Sequence, residues 1–310
     1  MIITITLNPS IDRTVTVKNT ALGDVNKIMS SRVDAGGGGI YTSRVLDVLD
    51  VENVAIGIAG RDNYRDFAAL LLKTGIDNDF IMRDGATRTN VRINDRATGA
   101  YTRFDEAGLT LRDEDMDAFD ALIKERIKYN DVVVISGNPG GRTKAKLMET
   151  LVKDCKAQGA YVIADASGNA LQSACNGIPY MITPNLGELS ALTKEKLGSV
   201  SDIVRASREI VSAGITAVVT TMGAEGLVYV SRREALYAPA LKVKSVCHVG
   251  AGDAVNAAMA FTKQWGMGSE AAVQLAVSAG AAAVQTEGCD PPLEQVVRDN
   301  AGLVKVQRVS

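Results

Sequence analysis

Residues Val132–Ser136 read Val-Val-Val-Ile-Ser, a short run with no polar side chain until its last position. A strand apolar on both sides must be covered on both faces, and a parallel sheet between two helical layers provides that cover. The same kind of run recurs at Ile2–Leu7, Val54–Ala59, Tyr161–Asp165, Met181–Pro184 and Ala217–Thr221. Amphipathic stretches lie among them at Ile40–Asp50, Tyr64–Thr74, Thr143–Ala157 and Val200–Ala213, and Ala-rich helices are expected at Gly252–Gln264 and Ser269–Thr286. Alternation of this kind specifies an α/β fold, a mostly parallel sheet with helices on both sides. Gly226–Val230 and Glu234–Tyr237 read as antiparallel additions to it.

Four segments break the rhythm. Arg13–Lys18 and Lys27–Val33 alternate polar and apolar residues on either side of Gly23-Asp24, and Arg88–Asn94 and Ala100–Asp105 flank Ala97-Thr98-Gly99. Period-two alternation suits strands with one wet face. They predict a separate small sheet built from about 13–35 and 87–106, inserted into one domain spanning 1–310.

Composition removes several classes. Lys plus Arg is 34 and Asp plus Glu is 36, so the net charge of −2 offers no footprint for nucleic acid. A single histidine, His248, leaves no material for a multi-histidine metal site or a Ser-His-Asp triad. Cys155, Cys175, Cys247 and Cys289 are widely spaced and form no Cys-x-x-Cys pair, which reads as free thiols in a reducing, cytoplasmic setting. The opening Met-Ile-Ile-Thr-Ile-Thr lacks the basic start of a signal peptide, and no apolar stretch is long enough for a membrane span.

Five short segments can carry chemistry. In Val249-Gly250-Ala251-Gly252-Asp253-Ala254 the glycines admit a ligand close to the backbone at the start of a long helix. Asp253 there either takes a proton from a hydroxyl, beside amides that hold a transferring anion, or merely favours the helix dipole. Asp12 follows the first strand through Asn8-Pro9, where open α/β sheets bind ligands, and it either holds hydroxyls or is solvated. Gly36–Gly39 precedes Ile40-Tyr41-Thr42 and not Gly-Lys-Ser/Thr, so it is no Walker loop; close packing around a small polar ligand or a flexible loop remains. Asn185 and Glu188 are three apart, suiting either a Mg²⁺ shell or a capped helix with a surface Glu. Thr220 to Gly226, with Gly223 between them, is either a phosphate-holding turn or an ordinary one.

In this order the segments make the chain resemble the PfkB (ribokinase-like) family of carbohydrate kinases, in its 1-phosphofructokinase and tagatose-6-phosphate kinase branch. The resemblance rests on Thr6-Leu7-Asn8-Pro9 with Asp12, Gly23–Lys27, Gly36–Gly39 with Ser43–Leu46, Thr87-Arg88, Ser136-Gly137, Asp165 with Ser167-Gly168, Asn185 with Glu188, and Gly250–Asp253. It implies a three-layer α/β/α sandwich with a small β lid. It implies ATP-dependent phosphorylation of a ketohexose phosphate, fructose 1-phosphate or tagatose 6-phosphate, with an unphosphorylated sugar or nucleoside as the alternative acceptor and a non-catalytic sensor as the alternative class.

By that resemblance Asp253 is the general base and Gly250, Ala251 and Gly252 form the anion hole. Asp12, Gly37, Gly38, Tyr41, Lys27, Arg88, Arg103 and Ser136 belong to the sugar side. Asn185, Thr220, Gly223 and Gly226 belong to the nucleotide, and Glu188 with Asn185 to Mg²⁺. Cys247-His248 stand where some relatives carry a carboxylate for K⁺, which leaves that ion open. The chain departs from the branch at Gly38, Tyr41 and Thr183, where relatives carry Lys, Asn and Lys. A homodimer through the lid is the expected partner arrangement, with no nucleic acid and no membrane.

Overall fold

The computed structural model describes residues 1–144 and 146–310. The first half runs β1 (Ile2–Thr6), β2 (Ser10–Val17), β3 (Ile28–Gly36), α1 (Gly38–Val48), β4 (Asn53–Gly60), α2 (Tyr64–Thr74), β5 (Asn78–Arg83), β6 (Arg88–Asp95), β7 (Tyr101–Phe104) and α3 (Asp113–Arg126). It continues with β8 (Val132–Ser136), α4 (Leu147–Ala157), β9 (Tyr161–Asp165), α5 (Gly168–Asn176), β10 (Met181–Ile182), α6 (Leu186–Thr193) and α7 (Val200–Ser212). Then come β11 (Ala217–Thr221), β12 (Leu227–Ser231), β13 (Ala235–Ala238), α8 (Ala251–Gln264), α9 (Ser269–Ala283), α10 (Glu294–Ala301) and β14 (Gln307–Val309).

The large sheet has the order β14-β13-β12-β11-β10-β9-β8-β1-β4-β5. From β11 to β5 every pairing is parallel, and β12, β13 and β14 add on in antiparallel fashion. The apolar run at 132–136 lies near its middle. Val133 and Ile135 pack into the layer of α3 to α7, with Phe119, Leu151 and Ile203. Val132 and Val134 point the other way, into the layer of α1, α8, α9 and α10, with Leu46, Ala258 and Val273. Small side chains in α8 and α9 let those two helices pack closely against each other and the sheet. A third cluster seats α2 on β4 and β5 through Phe67 and Phe80, whose rings meet edge to face at 5.5 Å.

The small sheet forms separately, in the order β3-β2-β6-β7. Its strands fall within the expected segments, except that β2 begins at Ser10 and β3 runs on to Gly36. Register divides its residues between two faces, because paired residues point the same way. Asp12 pairs with Asp34 and Asn90, and Arg92 pairs with Arg103, which makes one face polar. Arg13 pairs with Val33 and Val91, and Val91 with Phe104, which makes the other face largely apolar.

Two expectations are corrected. The helix expected over 143–157 begins at Leu147, after a turn in which the Thr143 hydroxyl bonds the Gly140 carbonyl at 2.5 Å. Ala145, inside that span, lies outside the described residues. The strand expected over 181–184 is only Met181–Ile182, because Pro184 lacks an N–H and Asn185 already caps α6. Among the described residues no helix is long and apolar enough to cross a membrane, and the four cysteines are unpaired.

Candidate active site

Strands β8 and β9 end side by side, and their register sets Ser136 opposite Asp165. Ser136 Oγ lies 3.0 Å from Asp165 Oδ2 and 3.0 Å from Asp253 Oδ1 in the first turn of α8. Asn256, three residues along α8, donates Nδ2 to the same Asp165 oxygen at 2.7 Å. A serine hydroxyl has a single proton. It serves one carboxylate at a time, so the second contact is favourable only when that carboxyl is protonated. Burial pushes Asp253 up to about 7, the charge of Asp165 adds to the shift, and the Ser136 bond opposes it. Burial also raises Asp165, against the bonds from Ser136 and Asn256.

The glycines explain how three elements come this close. A Cβ at Gly38 would overlap both Ser136 Oγ and Asp253 Oδ1, so with these side chains as placed α1 starts beside them on a glycine. Gly250 caps α8 at φ 82°, a left-handed value that glycine adopts without cost. The N–H groups of the first turn have no partner within the helix. Gly252 is exposed, with open space around its Cα, so these donors face an approachable surface.

Next to that turn lies a cleft of about 320 Å³. Thr221, Gly223 and Gly226 line it on one side, Val255, Val277 and Ala281 on another, and Ala251 and Gly252 at its mouth. Apolar walls ending at free N–H groups suit a flat base followed by phosphates. Thr220 is not in this wall: it is fully buried with an unpartnered hydroxyl, and strand alternation presents Thr221 to the cleft. Asn185 bridges to Thr221 and caps α6: its Oδ1 accepts the Glu188 N–H at 2.9 Å, and Glu188 Oε2 accepts the Asn185 N–H at 2.8 Å.

That capping box leaves Glu188 Oε1 and Asn185 Nδ2 uncommitted. Burial raises Glu188, and the charge of Asp165 contributes. The charge of Asp165 thus acts against both Glu188 and Asp253, with no cation among the groups that shift these three. Hard oxygens and an excess of negative charge fit Mg²⁺, which is held by few protein ligands plus phosphate oxygens and water. Among the described residues no three His, Cys, Asp or Glu side chains cluster as a set of metal ligands.

On the polar face of the small sheet Asp12 is already engaged. Its Oδ1 accepts from Ser10 Oγ at 2.7 Å and Asn90 Nδ2 at 2.8 Å, and its Oδ2 from Arg92 Nη2 at 2.5 Å. The side chains of Arg92 and Asp12 are only 5% and 2% exposed, so this is a buried ion pair. Arg88 donates to the carbonyls of Glu106 and Asn8 at 3.1 and 3.2 Å, leaving its buried Nε without a partner. Burial lowers the Arg88 pKa, against the charges of Asp12 and Asp105, which raise it, while Arg103 and Arg92 lower it slightly further. Arg103 pairs with Asp105 at 2.7 Å.

The structure therefore gathers Asp12, Gly37, Gly38, Arg88, Ser136, Gly250, Ala251, Gly252 and Asp253 around the C-terminal edge of the sheet. Two residues lie elsewhere. Lys27 precedes β3, at the end of the small sheet remote from Gly36, so it does not reach Asp253 of its own chain. Tyr41 is buried in α1 and packs against Gly250 instead of facing the polar side of the small sheet. Asp165, Asn90 and Arg92 belong to the site through partners 29 to 91 residues away in sequence, which no local pattern exposes.

Known proteins resemble this chain over nearly its whole length. A family model described as pfkB family carbohydrate kinase matches residues 5–296. The 1-phosphofructokinase of Bacillus subtilis is 30% identical over 309 residues, covering 100% of both chains. That of Vibrio cholerae is 29% identical over 287 residues, 93% of this chain and 90% of its own. Among solved structures, phosphofructokinase-2 from Escherichia coli in complex with potassium superposes with a TM-score of 0.92 at 28% identity, over 97% of this chain and 98% of that one.

Replacing Asp253 by Asn should lower turnover about 10²–10⁴-fold. In the unaltered chain the basic form of Asp253 appears as pH rises through about 7, so kcat/KM should climb there, and the variant should lose that limb. Stability carries the opposite sign. The folded carboxyl holds its proton above the ordinary 3.8, so its contribution falls as pH rises from 3.8 to about 7. Asp253→Asn should therefore raise the melting temperature more at pH 8 than at pH 5, read by calorimetry.

Proposed function

The chain belongs to the pfkB family of carbohydrate kinases, and from that membership we propose that it phosphorylates a ketohexose phosphate at the expense of ATP. The acceptors that best suit the site are fructose 1-phosphate and tagatose 6-phosphate. The observation that carries the reading is Asp253, a carboxyl raised to about 7 at a helix N-terminus, between a nucleotide-sized cleft and an arginine-lined sheet face.

In this reading Asp253 accepts the proton of the attacking hydroxyl as that oxygen bonds the terminal phosphorus and ADP leaves. The N–H groups of Gly250, Ala251 and Gly252 hold the transferring group's charge. Glu188 and Asn185 would hold Mg²⁺, whose charge would offset that of the phosphates. Thr221, Gly223 and Gly226 flank the nucleotide, with Thr220 supporting them from beneath. Arg88 faces the acceptor's phosphate, because a guanidinium with an unused buried N–H suits an anion better than a bare hydroxyl. Arg92 neutralises Asp12, so the face as a whole favours a charged acceptor over a free sugar.

The small sheet acts as the lid. Its outer face carries exposed Ile28, Val33 and Phe104, and a second copy of this chain is the cover we assign to it. The relatives named 1-phosphofructokinase favour fructose 1-phosphate. The Escherichia coli phosphofructokinase-2 solved with fructose-6-phosphate adds that sugar to the panel.

ADP release with MgATP should be measured on fructose 1-phosphate, tagatose 6-phosphate, fructose 6-phosphate and free fructose. A charged hydrogen bond contributes about 1.5–3 kcal/mol, so Arg88→Ala should raise KM for the phosphorylated acceptor about 10- to 150-fold and leave KM for ATP unchanged. Preference of the unaltered enzyme for free fructose would overturn the acceptor and leave the kinase standing. Sedimentation at micromolar concentration should give a dimer, and Phe104→Asp a monomer; a monomeric unaltered chain contradicts the lid interface.

A further inference from the structure

The turn after α9, residues 287–290, takes no part in the chemistry above, yet three arginines from separate elements converge on it. Arg32 of β3 grips the Asp290 carboxylate through Nη1 at 2.6 Å and Nη2 at 2.5 Å, and its Nε bonds Asp34 at 2.8 Å. Arg44 of α1 donates to the Cys289 carbonyl and lies 3.6 Å from the Asp290 carboxylate. Arg92 of β6, the residue that holds Asp12, donates Nη1 to Cys289 Sγ at 3.2 Å.

The other side of the turn meets the phosphate-holding loop. The Asp290 carbonyl accepts the Tyr41 hydroxyl at 3.0 Å and the Thr286 hydroxyl at 2.7 Å. The Tyr41 ring occupies the space beside Gly250, where an added Cβ would sit 2.5 Å from Cε1 and Cζ. A continuous set of contacts thus runs from Asp12 through Arg92 and the turn to Tyr41, Gly250 and Asp253.

We propose that the 287–290 turn, clamped by Arg32 and Arg92 and contacted by Tyr41, is a positioning element that couples the seating of the small sheet to the geometry of the Gly250–Gly252 loop. The inference rests on the function proposed above. Amides aimed at developing charge help only when they are fixed in advance. A glycine at φ 82° has no side chain to fix it. Tyr41 supplies the missing wall, and the turn fixes Tyr41. Acceptor bound against Arg88 and Asp12 steadies the small sheet, and through Arg32 and Arg92 it steadies the turn. Tyr41, Arg32 and Asp290 are positioning residues in this account, since they act through the loop and touch neither substrate.

The test uses the full-length chain with Arg32→Gln and Arg32→Lys. The Arg32 side chain is 38% exposed and outside the apolar clusters, so both variants should fold. In amide hydrogen exchange without ligands, Arg32→Gln should speed exchange at residues 249–253 about 10-fold and leave strands β8 and β11 unchanged. With MgATP and fructose 1-phosphate, kcat should fall about 5- to 20-fold while KM for ATP stays within twofold, because the loop acts on the transition state. Arg32→Lys should restore part of both. Unchanged exchange at 249–253 overturns the proposal, and so does faster exchange with kcat unchanged. If the unaltered chain turns over no sugar phosphate, the functional reading fails by itself, and the exchange result alone decides the coupling.

Discussion

One serine hydroxyl between two half-buried carboxylates organises the centre of this protein. Ser136 can satisfy Asp165 or Asp253 but not both as anions, since it has one proton to give. Burial disfavours two neighbouring negative charges further. The folded chain therefore holds a proton that the unfolded chain would release, and Asp253 gains and loses it near neutral pH. Neighbouring features answer to this arrangement. Gly38 is needed because any side chain would displace the hydroxyl or the carboxylate. Asn256 takes part of the load on Asp165. The uncompensated negative charge, extended by Glu188, is what a divalent ion bound with phosphates would relieve.

The fold delivers that centre by simple means. β8 and β9 stop in register, α8 begins opposite them, and all three are packed into apolar layers that leave little freedom. The small sheet is the looser partner. The chain crosses between it and the rest of the fold four times, at 7–9, at 37, at 84–87 and at 105–112, and it shows an exposed apolar face outward. Its polar face carries the buried Asp12–Arg92 pair. Removing one partner of such a pair is costly, so Arg92 and Asp12 hold that face together.

Much of this was legible in the sequence. Apolar runs gave the strands of the parallel sheet because their residues are buried on both sides, and period two marked the small sheet. Other elements left weaker traces. Strand β5 buries only Phe80 fully, so Asn78-Asp79-Phe80-Ile81-Met82-Arg83 shows no apolar run. Helix α3 is mostly charged and helix α10 polar, and each is held by a few residues such as Phe119 and Val297. β14 has three residues and exists only because β13 offers an open edge. In the site, motif spacing singled out Asp253 and the glycines, which the fold brings together. It placed Thr220 at the nucleotide, where strand alternation shows Thr221, and it set Tyr41 on the sugar side. Arg92 meets Cys289 across 197 residues and Arg32 meets Asp290 across 258, and contacts of that range arise from topology and not from local pattern.

The most direct test is the titration of the aspartate side chains themselves, by carbon-13 NMR of the carboxyl carbons, assigned with Asp253→Asn and Asp165→Asn. The account predicts that the Asp253 carboxyl titrates near 7 in the free protein, and that replacing Ser136 by Ala, which removes a bond to the charged form, moves it higher still. Two independent carboxyls, each titrating at the ordinary value of about 3.9, would contradict it.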